Sequence, residues 1–207
     1  MNFELAEILS ELLERRQLDE AIVVAEERLS AIPTTAFHMI LGRNLLHLIP
    51  RLAKHIEAYD KSTREVLKLR KSLFQRIFAP VRNADPAAYY CEMNGFTINY
   101  GLWYTELFSY ERYSIAEWEW LSEYYDSTKE VFAITGYEDI QKAYEDVHLN
   151  DRYTEPKISA SYDVCELLVI LRLQELFRDT YRSARAHWCN VPMFVTAHDY
   201  DLIFKVN

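Results

Sequence analysis

Leu5, Ile8, Leu9, Leu12 and Leu13 recur at the i, i+3, i+4, i+7 spacing that gathers apolar side chains on one stripe of a helix, and Asn2 stands where it can cap that helix. A second set, Leu18, Ala21, Ile22, Ala25 and Leu29, repeats the spacing and stops before Pro33. Together they predict a helical hairpin over residues 3–32. Phe37, Ile40, Leu41 and Leu45 predict a third helix within 34–48. Pro50 opens the longest periodic stretch, with a stripe of Leu52, Ile56, Tyr59, Val66, Leu67, Leu73, Phe74, Ile77 and Phe78 that ends at Pro80. Ser62 and Glu65 form a capping-box pattern inside it, so the stretch reads as one helix or as two meeting near residue 62.

Residues 79–90 change the texture: two prolines and an Asn-Ala-Asp run predict a loop and a subdomain boundary. Over 96–104, Phe96, Ile98, Tyr100, Leu102 and Tyr104 alternate with Thr97, Asn99, Gly101 and Trp103, the period-2 signature of a strand. Phe96, Tyr100, Trp103, Leu107 and Tyr110 also fit a helix, but β-branched Thr97 and Ile98 and interior Gly101 favour the strand. Three further capping boxes pair Ser114 with Glu117, Ser127 with Glu130 and Thr135 with Glu138. The first predicts a short helix carrying Trp118, Trp120 and Leu121, and the third a helix through Ile140, Ala143 and Tyr144. Residues 131–135 between them predict a brief buried strand, and 149–157 a loop. Val164 to Phe177 is apolar nearly all round, as expected of a central helix buried by its neighbours, here 161–187. Residues 192–206 predict a terminal strand or a hairpin turning near His198-Asp199. The expected fold is α+β and predominantly helical: a helical N-terminal subdomain over 1–80 and an α+β subdomain over 81–207, in one continuous unit. A small antiparallel sheet packs on helix 161–187. An all-α fold remains only if both strand readings fail.

Leu18-Asp-Glu-Ala-Ile22, followed by Leu29 and Pro33, resembles the second helix of a tetratricopeptide hairpin, a unit of helical-repeat proteins that bind peptides. The resemblance covers this hairpin alone. Arg16 and Arg28 occupy positions where that pattern has small residues, and the 34-residue period does not return downstream. Two amphipathic helices joined by a short turn give the same pattern.

Composition narrows the chemistry. Four glycines in 207 residues leave no glycine-rich phosphate loop, and no nucleotide or other cofactor is expected. The start, Asn2 to Glu7, lacks a basic then apolar leader pattern, and the apolar run 167–171 is far short of the roughly 20 residues a membrane span requires. Cys91, Cys165 and Cys189 form no closely spaced pair, and an odd number makes a poor disulfide framework. The expectation is a cytoplasmic protein with reduced thiols and no membrane partner. The net charge of −9 is unevenly spread: residues 51–82 hold nine Lys or Arg against three acids, and the rest of the chain is strongly acidic.

Each candidate for chemistry has a plainer reading beside it. Glu145-x-x-His148 has metal-pair spacing, but such a centre needs a second copy and further glutamates, so a solvated helix end is expected instead and no metal. His187 and Cys189 fall short of the four ligands of structural zinc. Cys189 with His198 could serve as nucleophile and base only if its thiol were acidified, and a small buried hydrophobe is the simpler role. His198, Asp199, Tyr200 and Asp201 form the densest titratable group. In a strand, His198 would face away from Asp199 and Asp201; only in a turn could they meet as acid and base. Lys54, Lys61, Lys68 and Lys71 could track phosphates, yet the aromatic segment that might stack bases is acidic, so nucleic acid is not the expected partner.

Phe96 to Tyr125 remains, with eleven aromatics in thirty residues and Glu106, Glu111, Glu117, Glu119 and Glu123 against Arg112 alone. Part of this belt is expected to cover the sheet. Tyr110, Tyr113, Trp118, Tyr124 and Tyr125 exceed what such a core requires, and aromatic anchors among carboxylates suit a basic protein partner. The sequence therefore leads to a non-enzymatic, immunity- or inhibitor-like binding protein, with an enzyme or small-ligand binder using a pocket near His198 as the alternative.

Overall fold

The structure is a computed structural model that describes residues 2–70, 85–97 and 99–207. Helices α1 (Phe3–Glu14) and α2 (Leu18–Ser30) form the expected hairpin. Asn2 caps the first, its Oδ1 accepting from the Leu5 amide at 3.1 Å. The stop is a Schellman motif: Gln17 N–H donates to Leu12 O at 2.8 Å and Arg16 N–H to Leu13 O at 2.9 Å, with Arg16 itself left-handed at φ 61°. In place of the helix expected over 34–48, two single-turn 3-10 segments, Ala36–Ile40 and Leu46–Leu48, bury Phe37, Ile40 and Leu48. Gly42 at φ 69° separates them and breaks the helical path. Helix α3 (Ile49–Arg70) runs unbroken through Ser62, so the capping-box pattern there starts no helix. The predicted continuation of its stripe to Phe78, and most of the loop predicted after it, lie outside the described residues.

Helices α4 (Glu138–Leu149) and α5 (Pro156–Ser183) follow later in the chain. Pro156 occupies the first turn of α5, where its missing N–H costs nothing, so the helix begins five residues before the predicted 161. From Val164 to Phe177 every residue of α5 is buried. Ala21 and Ala25 of α2 are small enough to bring the hairpin close to it. Arg172 pairs with Glu26 at 2.7 Å and Glu175 at 2.9 Å, and Arg178 with Asp19 at 2.7 Å and Asp179 at 2.9 Å. These bonds let α5 bury charge against α2 without leaving it uncompensated.

Among the described residues six strands form one sheet: β1 (Ala88–Asn94), β2 (Tyr104–Tyr110), β3 (Asp126–Ser127), β4 (Phe132–Ala133), β5 (Met193–Ala197) and β6 (Phe204–Lys205). The order is β3-β2-β1-β5-β6, with β4 also on β2. The fold is α+β and predominantly helical, as expected. The sheet, however, is mixed, because β1 and β5 run parallel with Cys91 opposite Val195, while every other pair is antiparallel. The chain enters β5 after travelling the length of α5, the kind of long connection a parallel pair requires.

Strand β1 begins at Ala88, inside the stretch expected to be loop. The predicted strand 96–104 is instead mostly the connection from β1 to β2. Phe96 is left-handed at φ 54°, which ends the extended path, and a Cβ on Gly95 would lie 3.0 Å from the Trp103 ring. The rings of Phe96 and Trp103 lie 5.2 Å apart, and both approach Tyr144 of α4. Phe96 and Trp103 therefore reach the core from a loop, while Tyr100 and Tyr104 are half-buried. The Ser127–Glu130 box starts no helix, since Ser127 is paired in β3. The short strand expected over 131–135 is present as β4. The C-terminal segment is the hairpin alternative, β5 and β6 joined through a turn at His198–Asp199.

Candidate functional site

The pleat gives the sheet two faces. Tyr89, Cys91, Met93, Leu107, Val195 and Phe204 belong to the principal core with α5. Ala88, Tyr90, Tyr110 and Phe194 point the other way and form a second, smaller core with Trp120, flanked by Phe108, Leu121 and Ile203. Among the described residues no helix covers this outer face. Residues 111–125 lie across it, and a 3-10 turn at Glu119–Ser122 presses Trp120 onto Tyr110 at 4.5 Å and Phe194 at 5.4 Å, both edge to face. The Tyr110 hydroxyl donates to Leu121 O at 3.0 Å and fastens the segment.

The sequence-predicted contact residues fall into two classes on this segment. Tyr110 is 1 % exposed and Tyr125 is half-buried beneath Arg70, whose guanidinium lies 5.6 Å from its ring centre. Both pack within the fold, Tyr110 in the small core and Tyr125 against Arg70. Tyr113, Trp118 and Tyr124 are 36 %, 43 % and 51 % exposed, and Ile115, a residue the aromatic count passed over, is 71 % exposed. Tyr113 and Trp118 rest on the rim of the small core, 5.6 and 5.9 Å from Phe194, while Tyr124 leans on Phe108 at 5.1 Å. Each has its base fixed and its outer surface free.

Two recesses flank this ridge. One, of about 250 Å³, is lined by Arg112, Tyr113, Ser114, Glu117, Glu119, Trp120 and Glu123. Arg112 is committed to Glu123 at 2.6 Å, whereas Glu117 and Glu119 have no ion-pair partner among the described residues. The other, of about 350 Å³, lies between the ridge, the end of α1 and the β6 edge; Leu13, Ile115, Trp118, Phe194 and Ile203 make its apolar walls.

His198 stands in a turn, as its catalytic candidacy requires, but its main neighbour is one the sequence could not supply. Nδ1 lies 2.7 Å from Glu92 Oε1 on β1, against 3.5 Å from Nε2 to Asp199 Oδ1. Asp199 sits at φ 64° and, like Asp201, is exposed; among the described residues Asp201 makes no side-chain contact with His198. The hydrogen bond to Glu92 raises the His198 pKa above 6.5, against a smaller opposing effect of burial. The Tyr90 hydroxyl donates to the second Glu92 oxygen at 3.3 Å. The pair lies at the carboxyl ends of the parallel strands β1 and β5, with His198 exposed.

The remaining candidates are placed as follows. His148 Nε2 lies 2.8 Å from the Tyr162 hydroxyl, and burial lowers its pKa. Cys189 is half-buried with Sγ 3.6 Å from Ala184 O. Among the described residues no three His, Cys, Asp or Glu side chains are gathered as metal ligands, and no helix is long and apolar enough to cross a membrane. A group with no sequence signal is Glu166, on the buried stretch of α5. Burial raises its pKa from 4.5 to about 7, although hydrogen bonds from Tyr200 and Tyr162 pull the other way. Neither composition nor spacing marked it, because a carboxylate in an apolar run reads as an interruption. Compared with known proteins, the chain matches no family model, no curated protein and no solved structure.

Proposed function

We propose that the chain is a non-enzymatic, cytoplasmic protein-binding module of the inhibitor or immunity kind, which holds a basic partner through the ridge formed by residues 111–125. One observation carries this reading: within one segment Tyr113, Ile115, Trp118 and Tyr124 are exposed, and so are Glu117 and Glu119, carboxylates that have no ion-pair partner among the described residues. Large aromatics whose bases are fixed lose little conformational freedom on binding, and carboxylates around them speed the approach of a positive surface. The unpaired thiols Cys91, Cys165 and Cys189 support a reducing compartment. The test is capture of a partner from the native host by the wild type and by a Trp118→Ala, Tyr124→Ala variant. Loss of a discrete basic partner from the variant, with its circular dichroism unchanged, supports the reading; equal capture by both sinks it.

The contact between His198 and Glu92 at 2.7 Å favours a second reading, a small-ligand or catalytic site at that end of the sheet. A thermal-shift panel of small acids and phosphates on the wild type and on His198→Ala checks it. A ligand that raises Tm only in the wild type supports a site at His198, and a panel without such a ligand removes this reading.

A further inference from the structure

Arg16 occupies the left-handed position that ends α1, at φ 61°. Glycine is the ordinary residue there, since an L side chain in that conformation costs roughly 1 kcal/mol and the Schellman motif uses only backbone groups. The helix stop gives no reason for an arginine. Its side chain lines the 350 Å³ groove together with Lys205, and neither has an ion-pair partner among the described residues. Lys205 approaches only the Tyr113 ring, 5.9 Å from its centre. Glu14 is the single acid of the groove, so in a chain of net charge −9 this recess carries surplus positive charge. Across the ridge, the recess of Glu117 and Glu119 carries surplus negative charge. Trp118 lines the groove, and its two neighbours in sequence line the opposite recess.

We propose that both recesses take one extended segment of a protein partner, which crosses the ridge with an apolar side chain against Trp118, a basic residue beside Glu117 and Glu119, and a carboxylate beside Arg16 and Lys205. The proposal rests on the protein-binding reading above and adds polarity to it. A uniformly basic segment meets repulsion in the groove, and a uniformly acidic one meets it in the recess, so the two signs fix which way the partner lies.

Binding is read by NMR chemical-shift titration with four probes. N-acetyl-L-leucine, an apolar carboxylate, should shift Ile115, Trp118 and Lys205, and L-leucinamide, an apolar cation, should shift Tyr113, Glu117 and Glu119. Arg16→Gly keeps the helix stop and should weaken N-acetyl-leucine about threefold while leaving leucinamide unchanged, and Lys205→Glu added to it should weaken N-acetyl-leucine about tenfold. Acetyl-Lys-Gly-Leu-Asp-amide and its reversed sequence join both charges in the two possible directions. One of them should bind at least about tenfold more tightly than either fragment, because the second contact becomes intramolecular. N-acetyl-leucine binding that ignores Arg16→Gly and Lys205→Glu, or that does not occur, overturns the groove assignment while leaving the acidic ridge intact. Leucinamide that fails to reach Glu117 and Glu119 contradicts the basic-partner reading instead. Linked peptides no tighter than the fragments overturn the continuous segment. A concentration-dependent dimer that protects Trp118 makes a second copy of the chain the occupant and also overturns it.

Discussion

The two faces of the sheet are cores of different construction. On the inner face, α5 supplies a continuous buried stretch, and aliphatic side chains do most of the filling: Leu167, Leu168, Leu171, Leu173 and Leu176 are fully buried. Among the described residues the outer face has only an irregular segment to cover it. There few residues approach the strands, so each must cover much area, and Tyr90, Tyr110, Trp120 and Phe194 take the place of leucines. A loop that uses aromatics as its cover also carries aromatics at its margin. Tyr113, Trp118 and Tyr124 rest on that small core without being enclosed by it. The density of aromatics over 96–125 thus has three sources: packing around Tyr144 at its start, the outer core in its middle, and a ridge at its end.

Substitutions on the two faces should separate these constructions. Leu168→Ala removes side-chain bulk from the centre of α5 and is expected to cost about 3–5 kcal/mol of global stability by urea denaturation. Trp120→Ala should cost about 3 kcal/mol, and hydrogen exchange should show the loss concentrated in 111–125 while α5 stays protected. Equal loss of protection on both faces would merge them into one cooperative core.

Glu166 makes the inner face sensitive to pH. Its folded pKa of about 7 lies above its ordinary 4.5, so the unfolded chain gives up this proton first. The contribution is fully present below about pH 4.5, declines as pH rises, and is gone above about pH 7, a loss of about 3 kcal/mol. Glu166→Gln should flatten that part of the stability profile. His198 acts in the same direction on the outer face: its pKa is raised by Glu92, so its contribution is complete below 6.5 and fades as pH climbs above that. Because His198 is exposed, the effect of His198→Ala should be the smaller, under about 1 kcal/mol. A stability curve rising with pH over 4.5–7 in the wild type relative to Glu166→Gln would contradict this assignment.

The smallest stability effect belongs to the ridge. Trp118→Ala with Tyr124→Ala should change unfolding free energy by less than about 1 kcal/mol, because both side chains already meet water. A cost near that of Trp120→Ala would return these residues to the core and leave the outer face with no surplus.

The helical hairpin was legible because its stripes are local, and Asn2 and Pro33 bracket them with short-range signals. Helix α5 was legible from an apolar density no other element matches. The parallel pairing of β1 with β5 was not, since it joins Cys91 to Val195 across most of the C-terminal half and no local pattern records that. The alternation over 96–104 misled for a physical reason: one left-handed residue, Phe96, redirects every side chain after it. At the candidate site, glutamates among tyrosines singled out a segment, but not which of its rings face outward. Tyr110 and Tyr113 lie three residues apart and differ because one sits in the pleat of β2 and the other beyond its end. Glu92 was invisible as the partner of His198, 106 residues away.

Whether the ridge meets a partner is tested most directly by site-specific photocrosslinking in the native host, with a benzophenone amino acid at Trp118 and, as the exposed control, at Tyr153, which is 42 % exposed on another part of the surface. The account predicts a discrete crosslinked product with one basic protein from position 118 and none from 153. The same products from both positions, or none from 118 in a folded, expressed chain, would contradict it.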